Sequence, residues 1–429
     1  MRTVIRWLAY GAVMGGLTGS ASALFLWGLD RATDVRLSAP WLLWLLPPAG
    51  ALVSLLYSRY GGSAGKGNNL IVEQIRLGDA PAERLERVSA VMAPFVLIGT
   101  WATHLFGGSA GREGTAVQMG GSLAEAFGRL VRAEGADRRA LLMSGVAGGF
   151  ASVFGTPLAG AAFALEVVTP GRRISPKTIV PCAVAAFAGD AVTRAWGIRH
   201  LQYALGIIPV FSAALLAKII AAAVLFGLMS LLFTLAVGWV KRGLAALIAR
   251  AWLRSVAGGL LVIGLTYAAG TRNYLGLSLP LLVRAFHEPL SALAFLWKTV
   301  FTAVTLGSGF MGGEVTPLFV IGAALGNALA PLLHLGASFL AGLGLIGVFS
   351  GAANAPAACF FLGLELFGAD GAAYMLVVCL VSYMFSGHAG IYGAQLGGVP
   401  KPRYFVRFPG AALLRDRLNR RKSARSRSS

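Results

Sequence analysis

Glu113 sits in the run Gly107-Gly108-Ser109-Ala110-Gly111-Arg112-Glu113-Gly114-Thr115, in a chain that is 56% hydrophobic and only 13% charged. A carboxylate is costly among apolar segments of this kind, so an ionisable residue there is read first as functional. Its neighbours define the chemistry. Glycines let the backbone approach a small ion closely. The N–H groups at a helix start attract anions, and a carboxylate is itself an anion. A glutamate in this position can fill an anion site when ionised and leave it when protonated. Gly111, Arg112, Gly114 and Thr115, which flank it, are candidate ion-binding residues.

Four further segments place Gly, Pro or polar residues at the start of an apolar run. They are Gly65-Lys66-Gly67-Asn68-Asn69-Leu70, Gly155-Thr156-Pro157, the stretch from Gly307 to Pro317, and the stretch from Ser386 to Tyr392. Asn68 brings an amide donor and Tyr392 a phenol donor. Donors that converge on one point can replace the water around an anion. A cation or metal site needs clustered carboxylates or histidines instead, and the sequence shows none. No metal or cofactor is expected.

The elements that position these residues are membrane helices. Mean hydropathy is +0.72, too apolar for 429 residues to form one water-soluble core. Roughly ten apolar stretches reach the length needed to cross a bilayer. They cover 9–29, 41–57, 90–106, 140–168, 178–196, 211–239, 251–270, 288–306, 317–333, 337–362 and 371–386. Several are interrupted by Gly or Pro, which predicts broken helices lining a wet or protein-filled interior. The N-terminus imitates a signal peptide, with Arg2 and Arg6 ahead of an apolar run, but that run continues through Trp27 and reads as a retained first helix.

The net charge of +20 is concentrated in short polar segments, including Arg129, Arg132, Arg138 and Arg139, and a tail running from Lys401 to Arg427. Such a run could hold nucleic acid. In a chain dominated by apolar spans it marks the cytoplasmic side, with contact to anionic lipid heads and no nucleic-acid partner. Cys182, Cys359 and Cys379 lie in apolar runs without metal spacing and read as small core residues.

The chain also matches itself. Gly111-Arg112-Glu113-Gly114-Thr115 lines up with Gly312-Gly313-Glu314-Val315-Thr316, and Pro157 with Glu166 lines up with Pro356 and Glu365, both at an offset of about 200 residues. Paired halves with broken helices are the sequence sign of secondary transporters, whose substrate sits near the midplane where half-helix N-termini converge. The expected division is 1–200, 201–400 and a basic tail over 401–429.

Gly-Arg-Glu-Gly at 111–114, Gly-Gly-x-x-x-Pro at 312–317 and the late Tyr392 after a Ser-Gly pair resemble, in order, the CLC chloride channels and transporters. The likeness runs from about residue 10 to 400. It implies an all-α polytopic membrane protein of two inverted-topology halves whose broken helices meet at the bilayer midplane. It also implies a homodimer in the bacterial inner membrane with a cytoplasmic C-terminus. Glu113 would be the gating glutamate that carries a proton.

The departures from the common pattern point to one branch. Thr115 stands where the family has Pro after Gly-Arg-Glu-Gly. Asn68 stands where the first anion-binding motif has a central Ser, although an ungapped alignment puts Lys66 there. Val167 stands where many chloride/proton exchangers have a second, inner glutamate. Val315 replaces the aromatic of Gly-x-Phe-x-Pro, and Thr316 follows it as a residue that could hold Glu113 inward. This set is similar to the fluoride-exporting branch, in which fluoride leaves in exchange for protons. Fluoride is small and strongly hydrated, so it requires close, strong donors. A protonated carboxyl donates a hydrogen bond to it, which could couple ion and proton at Glu113 without an inner glutamate.

Other readings compete with these. Glu113 could be a structural partner of Arg112, and Asn68 a simple N-cap. Tyr392 could be an interface aromatic. Glu314 is expected to cap its own helix start rather than to gate. Glu166 and Glu365 are expected at helix ends. Lys218 and Lys298 are expected to snorkel. His104 and His388 receive no role. Gly61 to Gly65 and Gly107 to Gly111 both fit the G-x-S-x-G nucleophile elbow, but that motif needs a preceding strand and apolar helices flank both copies. Gly65-Lys66 falls short of a P-loop. Three classes remain: a proton-coupled anion exporter of fluoride or chloride, a passive anion channel, and a membrane hydrolase.

Overall fold

The computed structural model describes residues 2–76, 88–168, 175–388 and 390–395. The basic tail over 401–429, on which the cytoplasmic C-terminus was argued, lies outside them. Among the described residues the fold is sixteen α-helices with short 3₁₀ turns and no strand beyond one isolated bridge. In chain order they are α1 (Arg2–Ser38), α2 (Leu46–Tyr60), α3 (Asn68–Arg76), α4 (Met92–Leu105), α5 (Glu113–Leu130), α6 (Gly135–Phe154), α7 (Pro157–Val168) and α8 (Pro176–Ala195). There follow α9 (Ala213–Leu247), α10 (Ala251–Ala269), α11 (Leu279–His287), α12 (Ala294–Gly307), α13 (Val315–Leu333), α14 (Ala337–Ala353), α15 (Pro356–Phe367) and α16 (Ala372–Phe385).

Six helices are long and apolar enough to cross a membrane, among them Val4–Ser38, Ala213–Leu247 and Val315–Leu333, and several shorter apolar helices lie between them. This is a polytopic membrane protein. Two stretches that read as single spans are each broken. The run 140–168 splits at Gly155, which takes a left-handed conformation (φ 72°) as the C-cap of α6. The run 337–362 splits at Asn354, also left-handed (φ 53°), after α14. Left-handed residues end helices. Pro157 and Pro356 then open α7 and α15, where a missing N–H does no harm.

Those two openings are closed by each other's half. Glu365 accepts hydrogen bonds from the backbone N–H groups of Leu158 (2.8 Å) and Ala159 (2.9 Å) at the start of α7. Glu166 accepts from Ala357 (3.1 Å) and Ala358 (2.7 Å) at the start of α15. Each glutamate sits at a helix end, as the sequence indicated, but the helix it serves is the other one. The exchange satisfies two orphan donors per helix and places a negative charge at each positive dipole end.

Glycine sets the depth of packing elsewhere. A Cβ on Gly120 would overlap the carbonyl of Gly145, and the reverse also holds, so α5 and α6 cross with backbones in contact. Gly322 and Gly344 do the same for α13 and α14. Close backbone approach through small residues is a common basis of helix association in lipid. Between the halves runs a chain of aromatic rings. Phe150 stacks on Phe163 at 4.4 Å, Phe154 meets Phe319 at 5.1 Å, and Phe319 meets Phe349 edge-on at 5.4 Å.

Removing one acceptor from either exchanged cap strands a backbone donor, a loss of about 1–2 kcal/mol. Glu166→Gln and Glu365→Gln are each expected to lower the thermal unfolding midpoint of the detergent-solubilised protein by a few degrees. Midpoints identical to the unsubstituted protein would show that the caps contribute nothing.

Candidate functional site

The site is built where two non-helical segments meet. After α4, Gly108 N–H donates to the Thr103 carbonyl (2.7 Å) and the chain turns away from the helix. Ser109 is then fixed to α12: its N–H donates to Thr305 Oγ1 (3.1 Å) and its hydroxyl shares a hydrogen bond with Thr302 (2.9 Å). Gly111 reaches the segment leading into α13. Its N–H donates to the Gly313 carbonyl (2.6 Å), and Gly313 N–H donates back to Gly111 (2.8 Å). A side chain at Gly111 would press on Pro317 Cδ at 2.8 Å and on the Gly313 carbonyl at 2.9 Å, so only glycine fits. The bridge holds the N-termini of α5 and α13 face to face.

Glu113 is the first residue of α5 and only 1% exposed. Its carboxylate lies across the junction. Oε2 accepts from the backbone N–H of Arg112 (3.1 Å) and of Thr316 (3.0 Å), and Oε1 accepts from the Thr316 hydroxyl. The carboxylate of one half therefore occupies the helix N-terminus of the other, as an anion would. The Arg112 side chain contributes less. Its Nε lies 3.8 Å from Glu113 Oε1 and, though buried, makes no hydrogen bond.

Val315 and Thr316 open α13 and are buried. Gly114 packs on Asn68: a Cβ there would sit 2.9 Å from Asn68 Nδ2. Asn68 does not act as an N-cap. It is the first residue of α3, after Gly67 (φ 57°), and its Oδ1 is buried without a partner. Lys66, the other register considered, ends the preceding 3₁₀ turn and is exposed. Thr115 shares a 2.7 Å hydrogen bond with Thr100 on α4. His104, which had no role in the sequence, braces the same region, with Nδ1 2.9 Å from the Thr100 carbonyl and Nε2 3.1 Å from that of Ala110.

Tyr392 is 3% exposed and meets Phe163 edge-on at 5.9 Å, so it belongs to the interior and not to a lipid interface. Its backbone is tied down on both sides. Ile391 N–H donates to Ala352 (2.9 Å), and Ala394 N–H to Asn69 Oδ1 (3.0 Å). Gln395 Nε2 donates to the carbonyls of Val167 and Ala353, both at 3.1 Å. Nothing in the sequence pattern singles out Gln395, because its partners lie at the ends of two distant helices.

Two expectations are corrected. Glu314 is the N-cap residue of α13, yet its side chain makes no capping hydrogen bond; the N–H it would serve, that of Thr316, is already taken by Glu113. Lys298 does not snorkel: it is fully buried. Lys218 is half-buried and donates to the Leu333 carbonyl (2.8 Å) at the C-terminal end of α13, where a cation is favoured. Among the described residues no group of three or more His, Cys, Asp or Glu is placed to hold a metal ion.

The sequence matches the model of the voltage gated chloride channel family over residues 49–387. It is 47% identical over 405 residues to the chloride/fluoride channel protein of Pseudomonas syringae pv. tomato, covering 93% of this chain and 88% of that one. The crystal structure of a CLC-type fluoride/proton antiporter superposes with a TM-score of 0.86 at 34% identity, covering 91% of this chain and 98% of that one. A slow cyanobacterial Cl⁻/H⁺ antiporter superposes at 0.78 with 23% identity, covering 92% of this chain and 96% of that one, a likeness of fold.

The Thr100–Thr115 bond is buried, so Thr100→Val leaves the Thr115 hydroxyl without its partner. The expected loss is about 1–3 kcal/mol, and Thr100→Val combined with Thr115→Val should recover most of it. Thermal unfolding of the two variants checks this; a double variant less stable than the single one would contradict it.

Proposed function

The chain belongs to the voltage-gated chloride channel family, and on that premise we propose that it exports fluoride across a membrane in exchange for protons, with Glu113 as the proton-carrying gate. The observation that carries this reading is the seat of the Glu113 carboxylate. It accepts from Thr316 N–H, the Thr316 hydroxyl and Arg112 N–H. These three donors are what a desolvated halide requires. While ionised, Glu113 fills the seat and blocks the path. Protonation removes its charge and weakens its hold on the donors, the side chain leaves, and fluoride takes its place. The proton then on the carboxyl can be donated as a hydrogen bond to the incoming fluoride. Ion and proton are linked at one residue, which accommodates Val167 where an inner glutamate would stand in chloride exchangers.

The other site residues surround this exchange. Gly111 and Gly114 let the backbone approach the ion, and Val315 and Thr316 present the α13 N-terminus. The Thr115–Thr100 bond fixes the first turn of α5. Asn68, beside Gly114, and the buried phenol of Tyr392 supply further donors. An amide in place of a hydroxyl at residue 68 favours the smaller halide, whose higher charge density rewards a stronger donor. Two repeats over 1–200 and 201–400, inverted in the bilayer and joined at the Gly111–Gly313 bridge, account for the exchanged caps and the facing N-termini. The protein works as a homodimer in the lipid bilayer of the inner membrane, its basic C-terminal tail in the cytoplasm by the positive-inside rule.

The decisive experiment is competition of fluoride against chloride efflux from proteoliposomes, with proton movement followed at the same time. A fluoride gradient should drive protons uphill; fluoride flux indifferent to a proton gradient would make the protein a passive channel, and equal chloride flux a chloride exchanger. Glu113→Gln should abolish proton coupling, since an amide does not titrate, and a variant that still moved protons against their gradient would remove Glu113 from the mechanism. Asn68→Ser should reduce the preference for fluoride over chloride by about tenfold, the worth of one good hydrogen bond. An unchanged ratio would take Asn68 out of the ion path.

A further inference from the structure

Lys298 lies on α12, fully buried, with no side chain of opposite charge among its hydrogen-bond partners. Its Nζ donates to Ser109 Oγ, Ser278 Oγ and the Gly276 carbonyl, each at 2.9 Å, and to the Tyr274 carbonyl at 3.3 Å. The Tyr274 and Gly276 carbonyls can only accept, and the Ser278 hydroxyl gives its own proton to the Leu275 carbonyl (3.3 Å), so at least three acceptors face Nζ, more than the two N–H groups of a neutral amine can serve. The cage suits an ammonium, which has three. Four neutral dipoles solvate a cation only partly, and burying an unneutralised ammonium is costly. The other basic groups facing this cluster, Arg36 and His104, add no negative charge. The anion that balances Lys298 must come from further off.

The cage shows where. Lys298, Thr302 and Thr305 share one face of α12, and all three hold Ser109. Ser109 begins the extended segment that continues through Ala110 and Gly111 to Glu113. Gly276 adds to the clamp by donating its N–H to the Gly108 carbonyl (3.1 Å). The buried ammonium thus holds the first residue of the strip of backbone that leads to Glu113. The 2.9 Å Ser109–Lys298 pair also has the separation of a serine–lysine nucleophile. Both residues are fully buried and the Ser109 hydroxyl is engaged by Thr302, which leaves no face for a carbonyl substrate.

We propose that Lys298 is a positioning residue of the transport site: it pins the segment from which Glu113 projects and holds a fixed positive charge behind it, against which the resident anion is stabilised. This rests on the fluoride-transport reading. When the ionised Glu113 side chain fills the seat it balances the ammonium; when Glu113 is protonated and withdrawn, fluoride must balance it instead. The charge therefore favours a seat that is never without an anion.

The test compares Lys298→Met, Lys298→Gln and Lys298→Arg in proteoliposomes, separating fluoride half-saturation from maximal rate. Loss of a unit charge at the root of the segment that carries Glu113 should raise half-saturation by about tenfold in Met and Gln, with maximal rate per folded protein falling less than about threefold. Arg, which keeps the charge, should stay within about threefold of the unsubstituted protein. Unchanged half-saturation in the uncharged variants, or a fall in maximal rate alone, overturns the proposal. So does failure of both uncharged variants to fold while Arg folds, which would make the ammonium an element of the fold only. If the unsubstituted protein itself shows no fluoride-driven proton movement, the transport reading fails. Calorimetric fluoride affinity of the unsubstituted protein and Lys298→Met then still decides the role of Lys298, and equal affinities overturn it.

Discussion

Two backbone hydrogen bonds between Gly111 and Gly313 fix the geometry on which the rest of this molecule depends. They are short, and they leave no room for a Cβ on either strand. Because they bind residue 111 of one half to residue 313 of the other, the starts of α5 and α13 face each other across a gap that one side chain can span. Glu113 spans it. An acid that belongs to one helix satisfies the N-terminus of another, and the donors it engages are those an inorganic anion would use.

The same logic recurs at α7 and α15. Broken helices inside a membrane expose donors that lipid cannot satisfy, and each exposed end needs an acceptor. Glu166 and Glu365 are committed to that duty, each in the partner helix, with two backbone N–H groups apiece. Glu113 meets the same need at α13, but one of its bonds is to a hydroxyl, and the residue after it is a glycine that puts no side chain in its way. The Glu113 seat is thus built on the same device as the two structural caps, under different constraint.

Much of this was legible in the sequence. The Glu113 segment, its echo at Glu314 and the shared Pro-to-Glu spacing were visible, as was the apolar, many-helix class. What the repeat could not show was who serves whom. Symmetry makes Glu314 look like a second Glu113, yet the Thr316 N–H it would cap is already taken by Glu113. Symmetry likewise places Glu166 and Glu365 at helix ends without revealing that they trade ends. The break inside 140–168 was signalled by Gly155-Thr156-Pro157, whereas the one inside 337–362 was hidden because Asn354 stops its helix through backbone dihedrals and not through polarity. Lys298 read as a snorkelling residue because its acceptors, Ser109 and the 274–278 loop, lie far away in the chain.

The glycine contacts of α5 with α6 and of α13 with α14 have a mechanical meaning. Where carbonyls sit in the space a methyl group would need, neither helix of a pair can slide or roll without breaking into the other's backbone. Each pair is made of neighbours in the chain, so α5 is keyed to α6 and α13 to α14, and the two helices that present the facing N-termini are each locked to the next helix. The seat of Glu113 is therefore mounted on keyed pairs, a frame stiff against the displacement of single helices.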